Sequence, residues 1–249
     1  MRQVTKTAWR IIRARVVTEN AWPEHGKLQA FIQDAWTMAN EIHNRNYHLT
    51  DNVGCSLGKR QTQVNSETIG KTRLAVVNAY KFDLSPTAKA HEANRVKAEL
   101  LIPKGRYHAL ELVNGLTPCK PFQHSIIQEI LNAMFYQNRK DEGPAYPDMF
   151  EPAPKPLIAL ILSAVQYSIL EFRHGKRDVQ DFKADRARPL YEKVLRELTE
   201  REETHPEYIL GIRETLTRNA HLCLGLDQDD EDLDMENNMS REEFEASLF

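Results

Sequence analysis

The sequence predicts an all-α protein: a single globular domain of seven or eight helices over residues 1–226, followed by a disordered acidic C-terminal tail over 227–249. Three observations carry this expectation. From Pro156 to Phe172 the chain is apolar on nearly every face, which marks a helix buried on several sides rather than an amphipathic surface helix. Through most of the remaining chain, apolar residues recur at spacings of three and four, and no buried strand is visible. The last 23 residues hold ten Asp/Glu and one Arg, with too little apolar area to offset the entropy of ordering them.

Taken in order, residues 4–17 form a first helix with Ala8, Trp9, Ile12 and Val16 along one side. Arg2, Lys6, Arg10 and Arg13 follow at four, four and three, so they share a basic stripe. Pro23 biases Trp22 away from helix and ends this element. Lys27 to His43 is strongly amphipathic, with Phe31, Ile32, Ala35 and Trp36 inward. Asn44 to Lys59 is polar, contains Gly54 and Gly58, and reads as a loop. A further helix runs from about Gln61 to Lys81 and carries mainly basic charges at Lys59, Arg60, Lys71, Arg73 and Lys81.

Ser85-Pro86 has the form of a helix start, with Ser as cap and Pro in the first turn. That helix stops before Pro103. Residues 104–120 read as a long connection without a sheet, at most briefly extended from Tyr107 to Val113; a boundary between two lobes, if the chain has one, falls here. Ser125-Ile126-Ile127-Gln128 has capping-box form and opens a helix to Asn138. Four prolines between Tyr146 and Pro156 predict an extended crossing into the apolar helix, which His174-Gly175 closes. Pro189 and His205-Pro206 begin the last two helices.

Net charge is −3, but the average hides a polarity: the segment from Asp227 carries −9 and the remainder +6. The plainer meaning of the tail is solubility. The sharper one is a mimic of an acidic partner lying on a basic face of the body. Cys55, Cys119 and Cys223 are odd in number, far apart and without zinc-ligand spacing, so no disulfide framework is indicated. With no apolar leader and no span long enough for a bilayer, the expectation is an intracellular protein, cytoplasmic or nuclear, with no membrane partner.

Motifs for chemistry fail on inspection. Gly70-Lys71-Thr72 ends like a phosphate loop, but Asn65 stands where the first glycine belongs. Gly54 to Lys59 is one residue short of that motif and is followed by Arg60. His91-Glu92 lacks a second histidine one turn on, and Ser56, Ser125 and Ser163 lie in no nucleophile elbow. His124, near a helix start, suits a local hydrogen bond better than catalysis. No catalytic residue, cofactor or metal site is therefore predicted.

The runs Pro121 to Gln128, Ala133 to Tyr136, Asp141 to Gly143, Met149 to Pro152, Pro156 to Leu160 and Leu170 to Gly175, with Phe182 and Tyr191 downstream, are specific as a set. They resemble an uncharacterised helical domain family expanded in mushroom-forming (basidiomycete) fungi, domain of unknown function 6532. The resemblance covers roughly residues 5–220 and is strongest from Pro121 to Tyr191. It implies one domain and supplies no reaction, cofactor or catalytic residues. The recurrent residues coincide with helix packing and turns, which favours a scaffold signature.

The leading functional expectation is a non-catalytic interaction module. Its partner is acidic, either nucleic acid or a protein segment, and is met by Arg2, Lys6, Arg10, Arg13, Lys59, Arg60, Lys71 and Arg73. The alternative is an enzyme whose site is assembled from distant residues in a cleft between the two halves. Such a cleft would hold several His and carboxylate groups with shifted pKa values. Self-association through an exposed apolar helix face is a third reading. A solvated stripe is the ordinary meaning of basic residues at this spacing.

Overall fold

The computed structural model describes residues 1–225. The tail expected over 227–249 lies outside the described residues. Those described form α1 (Arg2–Thr18), α2 (His25–Ile42), α3 (Asp51–Tyr80), α4 (Ala88–Leu101), α5 (Ser125–Phe135), the single turns α6 (Glu142–Ala145) and α7 (Pro147–Phe150), then α8 (Lys155–Leu170), α9 (Ala184–Thr204) and α10 (Pro206–Leu224). The fold is all-α, and eight of these helices have about three turns or more.

Helix α8 is the centre. Every residue from Leu157 to Ile169 is buried. Such a helix needs cover on all sides, and α9, α3, α1, α5 and α4 all pack against it. Its few polar groups are mostly answered. The Ser163 hydroxyl donates to Leu160 O at 2.8 Å, Gln166 Oε1 accepts from Tyr107 at 3.2 Å, and Tyr167 donates to Asp181 O at 2.6 Å. Ser168 Oγ is left without a partner.

The departures from the sequence expectation have local causes. Helix α3 starts at Asp51, so most of the expected loop is helical. Leu57 is fully buried, and a Cβ on Gly58 would stand only 3.5 Å from Ile32. Packing of that face outweighs the glycines' low helix propensity. The connection after α4 contains a 3₁₀ turn at Pro103–His108 and a small hairpin, β1 (Glu111–Val113) paired with β2 (Thr117–Cys119). This corrects the expectation of a connection without sheet. Asn114 and Gly115 both take positive φ, as a tight hairpin turn requires.

Caps also moved. Thr87, not Ser85, caps α4 by accepting from Ala90 N at 3.1 Å. His124 rather than Ser125 caps α5, its Nδ1 accepting from Ile126 N at 3.1 Å. Gln128 therefore turns away from the expected capping box and donates to Asn132 and Leu216 O. The expected proline-stiffened crossing from Tyr146 to Pro156 is broken by α7. Pro189 lies inside α9, which begins at Ala184 and buries Ala187 completely.

One ionic knot ties α3 to the chain leaving α8. The Glu171 side chain is only 1% exposed. Its Oε1 accepts from Arg73 Nε at 2.8 Å and Nη2 at 2.6 Å, and Arg177 Nε lies 3.2 Å from Oε2. Arg73 also donates to Gln180 O. Glu171→Ala leaves two guanidinium groups, 22% and 25% exposed, without their counter-charge. We expect a loss of about 2–4 kcal/mol in chemical denaturation, discounted for that partial exposure. A loss below about 0.5 kcal/mol would mean that water replaces the carboxylate.

Candidate functional site

The structure divides the eight predicted basic residues. Lys6, Arg10 and Arg13 of α1 meet Arg60 of α3 in a cleft of about 230 Å³, which Trp9, Gln63, Val64 and Glu142 complete. Arg2, Lys59 and Lys71 are exposed and do not line it. The Lys71 ammonium donates to Ala133 O at 2.6 Å, and Arg73 belongs to the Glu171 knot.

Two helices hold the cleft walls at a fixed spacing. The Arg60 guanidinium lies 4.0 Å from the Trp9 ring centroid, a cation–π contact that covers that ring. Arg60 also donates to Gln63 Oε1. Arg10 donates to Lys140 O and stands 4.0 Å from Glu142. Arg13 is the most engaged of the four: it pairs with Glu67, approaches Glu142 to 3.3 Å, and donates to Met134 O at 3.3 Å. Four cations therefore face two carboxylates, and Lys6 and Arg60 have no carboxylate partner among the described residues. The Trp9 Nε1–H in the same wall is shielded from water and has no acceptor.

Trp9, Gln63, Glu67 and Glu142 were not in the predicted set. Trp9 was legible only as an apolar residue of the first helix, and Glu142 only as part of a turn. What brings Glu142 to the cleft is the close seating of α6 on Tyr136. A Cβ on Gly143 would stand 2.4 Å from the Tyr136 ring. Gly143→Ala must push α6 off that ring. We expect a destabilisation of about 1–3 kcal/mol, with Glu142 displaced from Arg13. An unchanged denaturation midpoint would show that the ring yields instead.

Other cavities carry different chemistry. A groove of about 660 Å³ lies between the start of α5 and α10, and its titratable side chains are His124, Glu207 and Tyr208. Burial lowers the His124 pKa, and its Nδ1 is spent as the α5 cap. A second hollow of about 480 Å³ borders Glu171, His174, Asp178 and Arg186. Both are lined by residues from the second half of the chain. The basic cleft and a hollow of about 210 Å³ near Asp83 and His91 take lining residues from both halves. Among the described residues, no three His, Cys, Asp or Glu side chains are grouped as a metal would need, and no helix is long and apolar enough to cross a membrane.

His108 sits behind the first groove, buried and stacked on Phe122 with ring centroids 4.3 Å apart. Its Nδ1 accepts from Phe122 N, which requires the neutral ring. Burial first, and the Arg201 charge second, push its pKa down to about 4 from 6.5. Between these values the unfolded chain takes up a proton that the folded chain refuses. The stability contribution is thus intact above pH 6.5 and is lost as pH falls toward 4. His108→Gln should flatten the stability–pH slope in that window, by on the order of 3 kcal/mol across it. An unchanged slope would place the titration elsewhere.

The fold and these surfaces define an all-α domain built on a buried central helix, with a cationic cleft where α1 meets α3. The chain belongs to the family described as domain of unknown function DUF6532, whose model matches residues 7–201. The match takes in Arg10, Arg13 and Arg60, and leaves Lys6 and α10 outside. No curated protein and no solved structure matches the chain.

Proposed function

We propose that this protein is a non-catalytic helical interaction module that binds an acidic partner, nucleic acid or an acidic protein segment, through the Lys6–Arg10–Arg60 cleft. The observation that carries the reading is the excess of cations in one concave site, with Lys6 and Arg60 lacking a carboxylate partner among the described residues. Arg10 and Arg13 are held in place by Glu142, so the cleft is ordered before a ligand arrives, and preorganised charge loses little freedom on binding. Arg73 drops out of this set because its charge is met by Glu171, and Lys71 lies outside the cleft lining. We place the module inside the cell, in cytoplasm or nucleus, a reading that the three free cysteines support.

The test is binding of the full chain to a labelled single-stranded oligonucleotide and to labelled polyglutamate, from about 25 to 300 mM NaCl. For the oligonucleotide, affinity should fall with salt with a log–log slope of about −1.4 to −2.8, about −0.7 for each of two to four cleft cations. Lys6→Glu combined with Arg60→Glu should weaken binding by about tenfold to a hundredfold. Salt-insensitive binding, or binding untouched by that double reversal, would remove the cleft from the mechanism.

A further inference from the structure

We propose that the cleft takes side-chain carboxylates rather than a nucleic-acid backbone, and that its resident occupant is this chain's own acidic segment from Asp227 onward. The inference rests on the reading just given and names its partner. That segment lies outside the described residues, so the argument is built on the cleft and on where the described chain ends.

The choice of carboxylate follows from four features of the cleft. Its volume, about 230 Å³, suits one or two carboxylate side chains with water, at roughly 30 Å³ per water. Along α3 beyond Arg60 the next cations are engaged elsewhere: Arg73 is locked to Glu171, and the Lys71 ammonium donates to Ala133 O. The one aromatic face in its wall, Trp9, is covered by Arg60 and offers no platform for stacking a base. Glu142 stands within the site and Glu67 beside it, so a dense row of phosphates meets repulsion that a single carboxylate on Lys6 and Arg60 avoids.

The choice of occupant follows from position and charge. Helix α10 ends at Gly225, whose carbonyl accepts from Arg139 Nη2 at 3.3 Å. The next residue, Lys140, gives its carbonyl to Arg10 of the cleft. The described chain therefore ends against Arg139, the neighbour of the residue whose carbonyl holds Arg10. Asp227 follows two positions later, and Asp229, Asp230, Glu231, Asp232 and Asp234 come next. At up to about 3.5 Å per residue, the nine positions from Gly225 to Asp234 give these carboxylates a reach of up to about 30 Å. The segment carries −9 against +6 for the remainder. Tethering gives it an effective concentration on the order of millimolar, so even a weak contact is populated and outcompetes a dilute external ligand.

The experiment compares the intact chain with a full-length variant carrying D229N, D230N, E231Q, D232N and D234N. The probe is a fluorescein-labelled peptide copying residues 227–236, at about 50 mM salt. We expect the neutralised chain to bind it at least tenfold more tightly than the intact chain, and K6E/R60E in the neutralised background to abolish binding. K6Q/R60Q, with an unchanged melting temperature, guards against misfolding of the reversal. Equal affinities for the two chains, both lost on reversal, would overturn the inference and leave the cleft as a site for another protein's acidic segment. A single-stranded oligonucleotide that binds while the peptide does not would overturn it in favour of nucleic acid. Tighter peptide binding that ignores the cleft variants would overturn the assignment of the site. Binding of neither probe by either chain would overturn both this inference and the function on which it rests.

Discussion

A helix with no polar side cannot lie on a surface. The run from Leu157 to Ile169 is buried at every position, and each additional exposed face would cost apolar area that water does not repay. The other elements are arranged to meet that demand. Helices α1 and α3 cover it from the first half of the chain, and α5 and α9 from the second. The two halves share one core, and Trp36, Phe135, Phe172 and Tyr191 belong to the same packed cluster. The cleft is a by-product of this arrangement. Helices α1 and α3 pack against each other as well as on α8, and Lys6, Arg10, Arg13 and Arg60 line the cleft where they meet.

Much of the architecture was legible because the core leaves a periodic trace. Helices α1, α2, α5, α8 and α10 carry their apolar residues at helical spacing and begin or end near the residues expected. The misses were of two physical kinds. The first half of α3 has weak local propensity and is held by a long-range contact, Gly58 against Ile32 and Leu57 in the core, which no local pattern reports. The hairpin turn was written in Asn114-Gly115, but strands of three residues are too short to show an alternation. At α5 two neighbouring residues were each able to cap, and the imidazole of His124 took the role in place of the Ser125 hydroxyl.

Charge proved less readable than hydrophobicity. Arg60 and Arg73 sit in one helix and look alike in sequence, yet one stacks on Trp9 at the cleft and the other is held by a carboxylate 98 residues away. What separates them is the position of Glu171 and Glu142, which only the tertiary fold decides. Of the stripe along α1, Lys6, Arg10 and Arg13 line the cleft and Arg2 does not. The stripe's electrostatic value depends on acids contributed by α3 and α6.

The central place of α8 also has a consequence for the order in which this protein is made. Helices α1 to α3 are complete at Tyr80, but the helix that covers their inner faces begins only at Lys155. At a synthesis rate of about 5–20 residues per second, the growing chain spends several seconds with the inner face of α3 lacking α8, the helix it packs against most. For that interval α1 and α3 have each other and α2 to pack against, but not the helix that both cover in the finished fold. The first half of the fold is thus a waiting structure, and its survival until α8 arrives is part of what the sequence has to secure.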